Sequence, residues 1–161
     1  MSEITIRSAT VDDAEAIARL IAEHADYENA REQCHTTAAD IRRDGFGARP
    51  VFEVLIAEQG GKPVGIAMYF EAFSSWEGRT ILFLEDLYVS PQARRLGLGR
   101  RLMARIAAIA LTRGCPRLDW LVTDGNPASD FYRRLDAGHM DDQLLYRLRG
   151  EKLRELADEA D

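Results

Sequence analysis

An apolar run from Ile81 to Val89 carries two adjacent carboxylates, Glu85 and Asp86. It gives way to a basic, glycine-containing turn, Arg94 to Gly99, that opens a strongly helical segment. The run reads as a buried central strand. A carboxylate buried without a partner is expensive, so two in one inner strand point to a site. Free backbone amides at a helix start form an anion cradle. A fold that places acids beside such a cradle must surround this strand with other elements, and the remaining sequence supplies them.

Ile4 and Ile6 alternate with polar residues and predict a strand at about 3–8. Thr10-Val-Asp-Asp13 has the form of a capping box, and Ala14, Ile17, Ala18, Ile21 and Ala25 follow helical spacing, so a helix is expected near 11–27. Segment 28–36 is polar and irregular, and a short helix at about 37–44 ends at Gly45. Val51 to Glu58 and Val64 to Phe73 read as strands joined by the hairpin-type connection Gln59-Gly-Gly-Lys-Pro63. A loop, Ser74 to Gly78, leads into Thr80 to Val89 as the third strand of the meander.

The helix after the basic turn is expected over about 98–112, stopping at Gly114-Cys-Pro116. Arg117 to Thr123 is another strand, and Asn126-Pro127 starts a short helix to about 135, with Pro127 suited to the first helical position. A strand near 140–148 and a helix near 150–158 complete the order. Antiparallel hairpins mixed with helical crossovers predict an α+β fold, a mostly antiparallel mixed sheet layered by helices. With 161 residues and neither repeats nor linkers, a single domain over 1–161 is expected.

Composition narrows the setting. A formal net charge of -6 argues against a nucleic-acid surface and suits a cationic partner. Arginines nevertheless cluster at Arg94, Arg95, Arg100, Arg101 and Arg105, so a bound anion is not excluded. Two cysteines, Cys34 and Cys115, lack metal-type spacing, and neither a disulfide framework nor a metal site is expected. No apolar run approaches the roughly 20 residues that span a bilayer, and the first residues lack a secretory pattern. The expectation is a cytoplasmic protein with no membrane partner.

The glycine turn fails two commoner nucleotide motifs. A dinucleotide fingerprint requires glycine at Leu102, and a P-loop requires Gly-Lys-Ser/Thr. What remains, Arg94-x-x-Gly97-x-Gly99, lets backbone approach a ligand closely at a helix N-terminus. A surface turn with solvated arginines is the plainer alternative for that spacing.

Gln92-Ala-Arg94-Arg-Leu-Gly97-Leu-Gly99 resembles the acyl-CoA pyrophosphate loop of the GNAT superfamily of N-acetyltransferases, and the element order resembles that fold. Asp44-Gly-Phe-Gly47, Trp76-Glu-Gly-Arg-Thr80, Leu84-Glu-Asp86 and Asn126-Pro-Ala-Ser-Asp-Phe-Tyr132 are similar to the branch of diamine (spermidine/spermine) and thialysine acetyltransferases. The likeness covers nearly the whole chain. It implies an acetyl-CoA-dependent N-acetyltransferase acting on a primary amine of a small diamine, polyamine or thialysine-like substrate, commonly as a homodimer. No cysteine lies in the motif segments to carry an acyl group, so direct attack in a ternary complex is expected. The alternatives are a GNAT acting on a peptide N-terminus or amino-sugar, and a non-catalytic acyl-CoA-binding sensor.

Acetyl transfer needs a neutral amine, although a free alkylammonium has a pKa of about 10.4. It also needs a donor for the oxyanion and a proton for the departing thiolate. Glu85 is a candidate proton acceptor, directly or through water. Asp86, on the opposite side of a regular strand, would grip a cationic group, and a bulge would alter which side each faces. Either acid could instead pair with a buried arginine.

The resemblance supports these roles. It further implies that the backbone at Leu87 and Val89 receives the acetyl carbonyl and pantetheine. It assigns the pyrophosphate to the turn formed by Arg94, Arg95, Leu96, Gly97, Leu98, Gly99 and Arg100. Asn126 falls near the CoA arm and Tyr132 at the general-acid position, while Glu28 and Trp76 join Glu85 and Asp86 in binding substrate. His24, His35 and His139 are scattered and receive no role.

Three departures concern the amine. Ser74-Ser-Trp76 stands where the diamine enzymes have Asp-Pro-Trp, which is more like the thialysine type. Asp136 replaces the usual Gly after the Tyr132 helix, and Gln143-Leu-Leu-Tyr146 stands where a tryptophan is common.

Overall fold

The computed structural model describes residues 3–160, in two compact units divided after Thr123. The first unit is a five-stranded sheet in the order β1-β2-β3-β4-β5, with β1 Ile4–Ser8, β2 Glu53–Gln59, β3 Lys62–Ser74, β4 Arg79–Val89 and β5 Leu118–Trp120. The first four strands pair antiparallel; β5 joins β4 in parallel, only at Leu82–Leu84. Three helices accompany the sheet: α1 Ala14–Tyr27, α2 Ala38–Phe46 and α3 Leu98–Thr112.

Both faces of the central strands are covered, which explains why they read as unbroken apolar runs. Val54 to Ala57 are all buried. On one face Ala14, Ile17 and Leu20 of α1 and Ile41 of α2 form a core with Val54, Ile56, Ile66, Met68 and Tyr88. On the other, α3 packs on β2, β3 and β4 through a stripe that includes Leu98, Leu102 and Ile106, each 1% exposed or less. Burying one such side chain stabilises by about 1.5–3 kcal/mol relative to leaving it exposed. A cut to alanine in this stripe would also leave a cavity behind.

Local signals account for the boundaries. The expected helix near 11–27 begins as a tighter 3-10 turn at Val11–Asp13 before α1. Thr37 caps α2: its hydroxyl accepts from the Asp40 N–H at 3.2 Å, while its own N–H donates to the Asp40 carboxylate at 2.9 Å. That reciprocal pair satisfies two orphan groups of the helix start. α2 continues one residue past the expected stop because Gly45 is helical. A Cβ at Gly45 would lie 2.6 Å from the Phe52 ring, so glycine is needed there for close packing.

One structural cluster carries a pH signature. Arg7 donates from Nη1 and Nη2 to Asp13 at 2.7 and 2.8 Å, and from Nη2 to Glu58 at 2.6 Å. These bonds from Arg7, against the opposing effect of burial, lower the Asp13 pKa from 3.8 to about 2. Because the folded value is depressed, the stabilisation is complete above the unfolded value and fades as pH falls towards 2. Asp13→Asn is therefore expected to cost about 2 kcal/mol at neutral pH. In denaturant melts the gap from wild type should narrow between about pH 4 and pH 2, the window set by the two Asp13 values. A gap that stays constant across that window would remove the ion pair as its cause.

The second unit, Asp124–Asp161, contains α4 Ala128–Arg133 and α5 Gly150–Ala157. Pro127 caps α4 from outside rather than occupying its first turn, and Asn126 Oδ1 accepts from the Ala128 N–H at 2.8 Å. The strand expected near 140–148 is absent, and this segment is irregular. A strand exists only by pairing with a neighbour, and no other strand lies among the described residues of this unit. The adjacent Leu144 and Leu145 also break the alternation that would sustain one. The strand expected from Arg117 to Thr123 shortens to β5 for a similar reason: its pairing with β4 covers only three positions.

Candidate active site

The ladder between β3 and β4 places the two acids. Met68 pairs with Asp86, yet the next residue, Tyr69, pairs with Leu84. Glu85 is thus an extra residue bulged out of β4. A bulge re-aims side chains and bends the strand. Here it brings Glu85 and Asp86 to the same cavity, of about 230 Å³. A regular strand would turn the adjacent acids to opposite sides, and the bulge is what alters that facing. Asp40 and Asp44 of α2 border the cavity as well, with Thr36. Ile21, Ile41, Phe52 and Met68 supply apolar wall. Glu28 and Trp76 are not among the lining residues; Trp76 is 98% exposed in the turn between β3 and β4.

The electrostatics differ from acid to acid. Protein atoms crowd the Glu85 carboxyl although the residue opens to solvent on one side. That desolvation, and secondarily the charge of Asp86, raises its pKa above the ordinary glutamate value. Asp40 is lowered, first by hydrogen bonding to Thr37, and Asp44 is lowered, first by Arg43. The wall acids on α2 are therefore held as anions while Glu85 is made a better base.

A band of polar and aromatic contacts joins the end of α1 to β4. His24 Nδ1 lies 3.2 Å from Asp86 Oδ1 and its Nε2 lies 3.8 Å from Glu28 Oε1. The imidazole stacks on Tyr88 with ring centroids 5.4 Å apart. Ser90, fully buried, donates to Glu23 at 2.7 Å. Arg94 lies 4.4 Å over the Tyr27 ring, and its Nε donates to the Val89 carbonyl at 3.0 Å. Sequence reasoning missed His24 and Asp40, and it noted Asp44 only within the Asp44-Gly-Phe-Gly47 segment, without a role at the site. The available signal for His24 was its position at the end of the Ile17, Leu20, Ile21 stripe.

The basic turn follows directly. After a 3-10 turn at Pro91–Ala93, Arg95 takes φ 66° and Gly97 φ 72°. Gly97 is the N-cap of α3, where no side chain caps the first amides, and no atom lies within 4 Å of a Cβ built on it. A left-handed residue there favours glycine. The turn therefore presents backbone N–H groups and the positive end of a 15-residue helix, the features an anionic pyrophosphate requires. β5 leaves β4 after Leu84, so the edge bearing Leu87 and Val89 has no strand beside it among the described residues.

Tyr132 and Asn126 lie in the second unit, Tyr132 on α4 with its ring edge-on to Phe131 at 5.2 Å. No helix among the described residues is long and apolar enough to cross a membrane. Nor, among them, is any group of three or more His, Cys, Asp or Glu arranged to hold a metal ion.

An acid-lined cavity thus sits at the bulge of β4, and the same strand leads into a glycine turn that opens α3. The chain belongs to the Acetyltransferase (GNAT) family, whose profile matches residues 17–137. It is 37% identical to a thialysine N-epsilon-acetyltransferase of Bos taurus over 98% of this chain and 99% of that protein. It is 38% identical to spermidine/spermine N(1)-acetyltransferase-like protein 1 of Homo sapiens, over 98% of this chain and 24% of that longer protein. Among solved structures, an integron cassette protein from the mobile metagenome of V. cholerae matches with a TM-score of 0.82, at 28% identity and 98% coverage of both chains. The protein is thus an acetyltransferase acting on amines.

Proposed function

We propose that this enzyme transfers the acetyl group of acetyl-CoA to a primary amine of a small diamine, polyamine or thialysine-like substrate, by direct attack in a ternary complex. The observation that carries the reading is the shared cavity: the bulge gives Glu85 and Asp86 one opening, with two further carboxylates, Asp40 and Asp44, paired with Arg43 on its wall. A dicationic or zwitterionic amine meets charge at the acids and apolar contact at Ile21, Ile41, Phe52 and Met68. The names of the two relatives support the same substrate class.

In this mechanism acetyl-CoA supplies a thioester whose carbonyl carbon accepts the amine nitrogen. Asp86 grips a cationic group of the substrate, and Glu85 removes a proton from the attacking ammonium, directly or through water, so that the neutral nitrogen can form the C–N bond. The backbone at Leu87 and Val89 receives the acetyl carbonyl and pantetheine. The turn from Arg94 to Arg100 holds the pyrophosphate on its amides and arginines. Asn126 steadies the CoA arm, and Tyr132 gives the proton of its phenol to the thiolate as the C–S bond breaks. Glu28 and Trp76 extend substrate binding beyond the cavity. The chain acts as one domain over 1–161, in the cytoplasm, as a homodimer.

The test is thiol release from acetyl-CoA with putrescine, spermidine, thialysine, lysine and a peptide N-terminus. The expected result is turnover on at least one of the first three, with kcat/KM above that for the peptide. Preference for the peptide would assign the enzyme to a different amine. Binding of acetyl-CoA without turnover on any of the five would make the protein a sensor.

A further inference from the structure

We propose that His24 is a positioning residue for the amine site: its Nδ1 holds the Asp86 carboxylate turned into the cavity. The inference rests on reading Glu85 and Asp86 as that site.

The argument begins with helical spacing. Ile17, Leu20 and Ile21 form the inward stripe of α1, and position 24 continues it by one turn. The stripe favours an aliphatic side chain there, but the chain carries an imidazole. Its ring does the packing an aliphatic group would do, stacked on Tyr88 at an interplanar angle of 22°. Tyr88 is itself fixed, being 5% exposed and having the Arg94 guanidinium 5.9 Å from its ring centroid. A ring stacked on a fixed ring has little freedom to turn, so the direction of its nitrogens is set.

Those nitrogens face acids: Asp86 at 3.2 Å and Glu28 at 3.8 Å. Among the described residues no arginine or lysine comes within ion-pair distance of Asp86, so His24 is its basic neighbour. Asp86 and Glu85 repel each other across the bulge. Without a restraint, the Asp86 side chain would relieve that repulsion by turning away. An imidazole with its proton on Nδ1 opposes the turn. The 3.2 Å contact is electrostatic rather than an aligned hydrogen bond, and it leaves in place the negative charge that attracts the substrate cation. Packing makes no use of a nitrogen 3.2 Å from the Asp86 carboxylate; positioning does.

Two substitutions in the full-length chain separate the roles. His24→Phe keeps a ring on Tyr88 and removes both nitrogens. His24→Asn discards the ring stack but restores an amide N–H near Nδ1. With the best amine of the panel, His24→Phe is expected to raise the amine KM about 5–10-fold, with kcat and the acetyl-CoA KM within about twofold, the signature of lost ground-state binding. His24→Asn should return the amine KM to within about threefold of wild type, a partial rescue by the restored donor. Equal increases in both variants, a wild-type KM in His24→Phe, or a fall in kcat at constant KM would each overturn the proposal.

Long-range 15N–1H spectra of the wild-type imidazole read the contact without any turnover. Nδ1 is expected to be protonated, with a resonance that moves in Asp86→Asn. An unprotonated Nδ1, or a resonance indifferent to Asp86, would overturn the contact. If no amine is acetylated while these spectra behave as expected, the substrate reading fails and the His24–Asp86 pairing stands.

Discussion

Glu85→Gln is expected to lower kcat for amine acetylation on the order of 100-fold, while acetyl-CoA binding stays within about twofold. The amide retains the size and polarity of the side chain at the bulge but cannot accept a proton. The pH dependence gives a second reading. Glu85 must be ionised to act, so the rate should rise with pH through its folded value. Burial and the neighbouring Asp86 charge place that value above the ordinary glutamate range. Asp86→Asn removes the like charge and should move this acid limb of kcat downward; Glu85→Gln should abolish it. The measurement is thiol release at saturating amine from pH 5 to 9. A Glu85→Gln enzyme within twofold of wild type across that range would remove Glu85 from proton transfer.

The second large effect belongs to Asp86. Asp86→Asn is expected to raise the KM for a diamine by about 10–100-fold, the equivalent of losing a hydrogen bond to a charged group worth about 1.5–3 kcal/mol. A neutral amide still fills the space opposite Met68, so β4 should keep its register. A monoamine lacking the second cation should suffer less, and acetyl-CoA should not notice. Steady-state kinetics on putrescine and a monoamine of matched length decide it. Equal losses on both would mean that Asp86 grips the reacting nitrogen rather than selecting for a second charge.

The legible parts of this chain were those where one short-range cause acts alone. α3 runs from Leu98 to Thr112 as the spacing predicts, because a left-handed Gly97 starts it and Gly114 follows its end. The meander strands fall within a few residues of expectation because both of their faces are apolar. Where pairing decides, sequence was a poor guide. Segment 140–148 has strand-like residues and no partner strand among the described residues of its unit, and β5 stops where its pairing stops.

The same division holds at the site. Glu85, Asp86 and the glycine turn stood out because acids in an apolar run and paired glycines are anomalies in one dimension. Asp40 and Asp44 did not, since on a short polar helix they look like solvated charge; only the fold carries them to the cavity wall. His24 was hidden for a related reason. Its significance lies in an Asp more than sixty residues away, brought beside it by the packing of α1 on β4.

The extra residue at Glu85 has a consequence beyond the acids themselves. It inverts the phase of β4. Before it, Leu82 and Leu84 lie opposite Glu71 and Tyr69, on the side of the sheet that meets α3; after it, the even-numbered Asp86 and Tyr88 lie opposite Met68 and Ile66, on the side that meets α1. Flattening the bulge into a regular ladder with every residue kept would, by that very regularity, send Asp86 and Tyr88 towards α3. A charge would then enter one apolar layer while a ring vanished from the other. The irregularity is thus protected from both sides, because neither helix can accept the strand that a tidy ladder would offer it.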